Sequence, residues 1–432
     1  MKYLERILFE EVKKWIERRE IIAIKGPRQS GKTTLLEMLK DWLQEDGTKK
    51  ENIICLSFED REILEKFSLN ANDFIKSFIE SKNEKYFVLV DEAHYCKDIG
   101  QKLKLLYDTL KNVKFIITGS SSLEITSETA RFLVGRVFSF ELMPFNFYEF
   151  LNAKDKRLAR VFLEKRRQIE ELILEGKNFE TSSADIFVND LLRHWEEFLV
   201  FGGYPEVIKS GKEEEKKMIL KNIFNTYLDK DIVSFLQITD TVKFRKLVSL
   251  LSSQIGHIIS YEKLTSSTQS YFKEITKLLD VLQQTYVINL LRPFHRNLVT
   301  ELRKNPKIYF IDYGLRNYAI NNFNVIEIRE DRGEVAENFV LNELSFFARD
   351  KFFINFWRTT AKAEVDFVLN NMNEVIPIEV KFEELKKEKI GKSLFSFINN
   401  YHPERALIIT KNFWGEKRVN GTLIKFVPIV YL

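Results

Sequence analysis

The sequence predicts an α/β protein whose first 150 residues build a parallel sheet, and three observations predict it. From Ile21 to about Pro144, short apolar runs alternate with helical patterns, the signature of βαβ units. The runs starting at residues 86 and 113 are continuously apolar, as strands covered on both faces must be. The first run leads through a glycine-bounded loop, Gly26-Pro27-Arg28-Gln29-Ser30-Gly31-Lys32-Thr33, into an amphipathic pattern from Thr34 to Leu43.

Each element has its own warrant. Candidate strands are 21–25, 53–58, 86–91, 113–118 and 137–142. The loop between the first strand and its helix has the composition and spacing of a phosphate-binding loop. Its backbone N–H groups and the positive end of the helix cradle a β-phosphate. Lys32 reaches the β- and γ-phosphates, and the Thr33 hydroxyl is placed for Mg²⁺. Residues Gly26 to Thr34 are therefore the expected nucleotide-binding set, and a nucleoside triphosphate the expected ligand.

Hydrolysis needs more than the loop. Asp91 and Glu92 end the apolar strand 86–90, at the carboxyl rim where open α/β sheets bind ligands. Asp91 is the expected Mg²⁺ partner, and Glu92 the residue that orients the attacking water. The next strand ends in Thr118-Gly-Ser-Ser-Ser122, making Thr118 and Ser120 candidates for contact with the γ-phosphate or the water. Arg136 and Arg131 are the candidates to stabilise transition-state charge, in cis or in trans, and either could equally form a surface ion pair. His94, in Asp91-Glu-Ala-His94, is a candidate phosphate sensor or a packing residue. That tetrapeptide also occurs in one helicase group, but no second nucleotide-fold lobe follows residue 150 and the loop is unlike a helicase loop.

Composition narrows the class. The chain has 432 residues, 44% hydrophobic and 30% charged, a globular balance with material for several domains. A net charge of +4 permits nucleic-acid binding through a local patch without demanding it. Two cysteines, Cys55 and Cys96, exclude a disulfide scaffold and suggest no zinc site. No apolar run is long enough to span a bilayer, and Glu5 and Arg6 interrupt any leader core, so a cytoplasmic protein with no membrane partner is expected.

Beyond residue 150 the pattern changes. Residues 154–180 are rich in Lys and Arg and read as a solvated helix. Helices interrupted by Gly202-Gly203-Tyr-Pro205 follow, then three helical patterns from Thr241 and a strand pair, 287–291 and 308–311. The third helix, 270–284, aligns Phe272, Ile275, Leu278, Leu279 and Leu282 on one face. Three helices and a wing suggest a winged helix-turn-helix, although a plain helical spacer has the same pattern. A helix at 333–349 and strands near 352–357, 364–369, 375–382, 405–410 and 422–427 return the chain to mixed α/β.

Two of those strands carry a second constellation. Glu364 and Asp366 share one face of the first, and Glu379 and Lys381 share one face of the next. If the faces coincide, Asp366 and Glu379 hold Mg²⁺, Lys381 stands beside the metal-bound water, and Glu337 completes the ligands. The spacing Asp-x12-Glu-x-Lys matches the PD-(D/E)XK nuclease pattern. It carries a register condition: Asp366 must face an odd-numbered residue, whereas a five-residue turn at 370–374 would set it opposite Ile378.

With both constellations in view, the chain resembles the archaeal and bacterial AAA+-like P-loop ATPases that carry a C-terminal domain of unknown function related to PD-(D/E)XK nucleases. The resemblance rests on Gly26 to Thr34, Asp91-Glu92, Thr118-Gly-Ser-Ser121 and Leu133-Val-Gly-Arg136. It continues through Pro144 to Phe150, Gly202-Gly-Tyr-Pro205, Tyr227 to Ile232, Pro306 to Gly314, Glu364 to Phe367 and Ile378 to Lys381. It spans nearly the whole chain apart from 151–190, where the charged insert departs from it. It implies an ATPase domain over 1–150, a helical linker over 151–240, a winged helix over 241–305 and a nuclease-like domain over 306–432. It also implies ATP and Mg²⁺ as cofactors, with double-stranded DNA and a second copy of the chain as candidate partners.

Overall fold

The structure is a computed structural model that describes residues 3–119, 133–181, 185–228, 232, 240–294 and 304–432. The chain divides into two compact units. One comprises residues 1–145 with short pieces at 204–206 and 284–286, and the other holds the remainder.

In the first unit, α1 (Ile7–Lys13) precedes β1 (Ile21–Lys25), α2 (Lys32–Glu45), β2 (Ile53–Ser57), α3 (Arg61–Leu69) and α4 (Ala71–Lys76). β3 (Tyr86–Asp91), α5 (Ile99–Thr109), β4 (Val113–Gly119) and β5 (Val137–Glu141) complete it. The five strands form one sheet in the order β2-β3-β4-β1-β5, with every neighbouring pair parallel. This is the sheet core of a P-loop NTPase. Strand periodicity explains its two layers. Ile21, Ala23, Val88 and Val90 bury one face against Leu103 and Leu106 of α5. Ile22, Ile24, Phe87 and Leu89 bury the other against Leu35 and Leu39 of α2. All five sequence-predicted strands are present, the last ending at Glu141.

The second unit opens with α6 (Phe147–Lys154), whose start is a capping box: Asn146 accepts the Glu149 N–H, and the Glu149 carboxylate reaches back to the Asn146 N–H. Next come α7 (Lys156–Glu175), α8 (Val188–Phe201), α9 (Glu213–Thr226), α10 (Thr241–Ser253), α11 (Tyr261–Thr268) and α12 (Phe272–Gln284). β6 (Ile288–Leu291) and β7 (Lys307–Phe310) pair antiparallel, and an isolated bridge joins Ile258 to Lys307. The solvated helix expected at 154–180 is instead amphipathic. Leu158, Phe162, Ile169 and Leu172 of α7 are buried, and Arg166, 3% exposed, pairs with Glu343 at 2.6 Å. On α12 the expected apolar face holds for Ile275, Leu278, Leu279 and Leu282, but Phe272 stands out at 62% exposure in the first turn.

α13 (Tyr313–Ala319) and α14 (Arg332–Phe347) lead into a six-stranded mixed sheet of β8 (Phe353–Arg358), β9 (Glu364–Asn370), β10 (Val375–Lys381), β11 (Arg405–Thr410), β12 (Gly415–Val419) and β13 (Thr422–Pro428), with α15 (Lys392–Tyr401) between β10 and β11. The order is β12-β13-β11-β10-β9-β8. β12, with three of its five residues exposed, offered no apolar signal and was not anticipated. Leu394, Phe397 and Ile398 of α15 pack on Val365, Val368 and Ile408.

Candidate functional site

Parallel register brings the carboxyl ends of β1, β3 and β4 to one rim. Ile24 lies opposite Thr118 and Val90 opposite Ile117, so Asp91 and Thr118 arrive together beside the loop that follows β1. That loop needs its glycines. Gly26 has φ +154° and Gly31 φ +99°, and a Cβ on Gly26 would lie 2.2 Å from the Leu142 carbonyl oxygen. Gln29 is also left-handed, at φ +61°.

The predicted residues converge. The Thr33 hydroxyl donates to Asp91 Oδ2 at 2.8 Å, and the Thr118 hydroxyl donates to Asp91 Oδ1 at 2.5 Å. Thr118, fully buried, also accepts the Glu92 N–H at 3.1 Å. Glu92 sits in the left-handed region at φ 52°, a conformation a bulky residue keeps only where its surroundings impose it. Its carboxylate lies 2.9 Å from His94 Nδ1. Burial alone would push the Glu92 carboxyl up, but His94, Lys32 and Arg28 outweigh that and hold it below its usual range. It is therefore an ionised base at neutral pH.

Lys32, 4% exposed, folds over the loop and donates to the carbonyls of Gly26 at 3.0 Å and Pro27 at 2.9 Å. Ser30 is fully buried, and among the described residues its hydroxyl has no hydrogen-bond partner. A buried lysine folded over the loop, a buried hydroxyl without a partner among the described residues, and glycine-bounded N–H groups suit an anionic phosphate chain. Lys32, Thr33 and Asp91 are the residues that would hold a nucleotide and its Mg²⁺.

One contributor escaped the sequence reading. Arg6, ahead of α1, donates to Ser30 O at 2.8 Å and to Met143 O at 2.6 Å, and its guanidinium lies 4.3 Å from the Phe145 ring. Nothing in its sequence context marks it, because its partners are backbone carbonyls far along the chain.

Of the roles open to Arg136 from sequence, the structure shows a surface ion pair. This arginine precedes β5, and its carbonyl accepts the N–H of Ile21, the first residue of β1. It therefore stands at the amino end of the sheet, the opposite rim from the phosphate loop, and points to Asp108 at 3.3 Å. It does not serve the site of its own chain. Ser120 and Arg131 lie outside the described residues.

The second constellation meets its register condition. Val375 pairs with Asn370 and Ile378 with Phe367 across a four-residue turn, so continuing the ladder faces Glu379 with Asp366. Asp366 Oδ2 accepts the Val380 N–H at 2.7 Å, and Lys381 Nζ lies 2.6 Å from Glu379 Oε1. The expected metal set is nevertheless not assembled. Among the described residues no three His, Cys, Asp or Glu side chains are placed to hold a metal ion. Glu337 is bound instead by the Tyr309 hydroxyl at 2.9 Å and by Lys307, whose Nζ is 3.5 Å away. Lys307, missed from sequence because it reads as an ordinary strand-edge lysine, also lies 2.6 Å from Glu364. Burial, and then the charges of Glu337 and Glu379, hold the Asp366 carboxyl well above its usual range, although Lys307 and the Val380 N–H act against this.

Residues 18–151 match the family model described as AAA domain. Residues 192–325 and 332–432 match two models described as domains of unknown function, DUF8612 and DUF4143. The AAA match falls on the first unit, whose five-stranded parallel sheet is that of a P-loop NTPase. An uncharacterized protein of Haemophilus influenzae is 26% identical over 415 residues, covering 94% of this chain and 93% of its own length. One of Methanocaldococcus jannaschii is 27% identical over 425 residues, covering 95% and 87%. Among solved structures, a DNA polymerase III gamma-subunit-related protein of Thermotoga maritima aligns at TM-score 0.26 with 15% identity, covering 64% of this chain and 97% of that one. AMPPCP-bound DnaA of Aquifex aeolicus aligns at TM-score 0.26 with 16% identity, covering 65% and 88%. No helix among the described residues is long and apolar enough to cross a membrane.

Proposed function

We propose that the protein is a cytoplasmic, Mg²⁺-dependent ATPase whose turnover is coupled to double-stranded DNA. The observation that carries the ATPase reading is the chain Thr33–Asp91–Thr118–Glu92 at the sheet rim beside Lys32. Lys32 neutralises the β- and γ-phosphates, and the loop N–H groups from Gly26 to Thr34 orient them. Thr33 and Asp91 hold the metal, which when bound supplies charge neutralisation on the phosphates. Glu92 takes up the proton of the attacking water, and Thr118 fixes the Glu92 backbone through its N–H. Arg136, set at the far rim, acts on the nucleotide of a neighbouring copy in a homo-oligomer.

DNA coupling draws support from the middle of the chain. Residues 241–305 contain ten Lys and Arg against four Asp and Glu, so a local basic excess sits inside a nearly neutral protein. α11 and α12 are joined by a short turn with Gln269 in the left-handed conformation. Tyr271, just ahead of α12, and Phe272, Lys273 and Lys277 in its first turns face solvent. With the β6–β7 pair these are the parts of a winged helix, in which such a helix enters the major groove. The nuclease-like end then contacts the same duplex.

A second reading, a nucleotide switch with an inactive C-terminal binding module, is favoured by the unassembled metal set around Asp366. The test is the steady-state ATP hydrolysis rate with and without double-stranded DNA, with Lys32→Ala as background. Stimulation by DNA supports coupling. An unchanged rate leaves an ATPase whose stimulus is not DNA, and moves the assignment to the switch.

A further inference from the structure

The carboxylates of the second constellation already have a cation. Lys307 opens β7 and is 2% exposed, and its Nζ lies 2.6 Å from Glu364 Oε1 and 3.5 Å from Glu337 Oε2. Glu364 and Asp366 lie two residues apart on β9 and share a face, so Asp366 borders the same ammonium. Across the ladder, Glu379 is 6% exposed; its Oε1 lies 2.6 Å from Lys381 Nζ, and among the described residues its Oε2 has no hydrogen-bond partner. Carboxylates gathered this closely and largely withdrawn from water require positive charge. A divalent metal would need several of these oxygens turned to one point, and with the ammonium among them no three His, Cys, Asp or Glu side chains of the described residues are so placed.

We propose that Lys307 is the resident cation of this cluster, a tethered ammonium in the place of a divalent metal. The C-terminal domain then holds a latent metal site that the wild-type protein does not fill. The physical case is one of competition. The ammonium is covalently attached, needs no free ion and satisfies the carboxylates by charge-assisted hydrogen bonds. A metal entering the cluster would have to displace it, leaving a buried lysine without its partners. The inference goes beyond the ATPase reading, since no residue of the nucleotide site takes part. It stands whether or not DNA is the partner. Its functional consequence is that this domain engages its partner by binding, without metal-assisted phosphodiester cleavage.

The experiment is a Mn²⁺ titration of the nucleotide-free full chain, followed by the electron paramagnetic resonance signal of free Mn²⁺. Wild type and Asp366→Asn are expected to bind the same number of ions. Lys307→Ala is expected to gain one ion per chain, and the double variant with Asp366→Asn to lose that gain. Should Lys307→Ala fail to fold, judged by circular dichroism, Lys307→Gln removes the charge at similar length and is read the same way. A wild-type ion that disappears in Asp366→Asn overturns the proposal. So does a folded Lys307 variant that gains none. Neither result depends on ATP turnover, so failure here is separable from failure of the ATPase assignment.

Discussion

The Asp312 carboxylate accepts the backbone N–H of Gly203 at 2.7 Å, joining two segments 109 residues apart inside the second unit. The same carboxylate caps α13 through the Leu315 N–H at 2.9 Å. Its fit leaves no spare room, because a Cβ on Gly202 would lie 2.4 Å from Asp312 Oδ2.

That joint predicts a pH dependence. Burial raises the Asp312 carboxyl to about 6 from 3.8, against the opposing effect of the backbone N–H groups. The folded state therefore binds this proton more tightly than the unfolded state. The associated stabilisation is complete below about pH 4 and lost as pH rises through 6. Two pKa units correspond to roughly 3 kcal/mol. Urea unfolding of wild type and Asp312→Asn between pH 4 and 7 should reveal this pH-dependent difference. Parallel stability curves would rule it out.

Lys32→Ala should bind ATP at least about tenfold more weakly, because charge-assisted contacts are worth roughly 1.5–3 kcal/mol each. The fold should survive, since the Lys32 ammonium donates to the carbonyls of Gly26 and Pro27 within its own loop. Calorimetric titration with ATP measures the loss, and wild-type affinity would remove Lys32 from the site.

Glu92→Gln should bind ATP normally and turn it over about 100-fold more slowly or worse, the usual scale of a lost general base. The amide keeps the shape but cannot accept the water's proton. A single-turnover rate equal to wild type would assign the base elsewhere.

Arg6→Met should loosen the phosphate loop without touching any phosphate. The carbonyls of Ser30 and Met143 lose a charged donor, at a cost of about 1–3 kcal/mol. Lower thermal stability and weaker ATP binding should appear together. An affinity unchanged beside a lowered Tm would confine Arg6 to the scaffold.

Lys273→Ala with Lys277→Ala should weaken binding to double-stranded DNA about equally for all sequences. The slope of log affinity against log salt should shrink by about 2, one for each phosphate contact removed. A DNA affinity that ignores both substitutions would place any contact on another surface.

Much of the nucleotide site could be read from the chain because its determinants are local. Gly26 to Thr33 is one turn, and Asp91 and Thr118 each end an apolar strand, so strand order alone brings them together. Lys307 and Arg6 were invisible for the opposite reason: each acts on groups distant in sequence, and neither carries a pattern. Arg136 immediately precedes β5, so the direction of that strand sets it at the amino rim of the sheet, away from the phosphate loop. Asp366 and Glu379 were legible as a face because strand periodicity is strict. The lysine beside Glu364 and Glu337 comes from a third strand, through a pairing among β6, β7 and the loop before α11 that no spacing reveals. Gly202, Gly203 and Asp312 stood out as motifs and turned out to be one structural joint.

The strut from Arg6 has a practical side. A fragment trimmed to begin just ahead of β1 would keep every residue of the phosphate loop, and its sequence would still announce a nucleotide binder. It would also lack the guanidinium that fastens Ser30 to Met143. Weak binding by such a fragment would measure the missing brace, and would say little about how well the intact protein holds ATP.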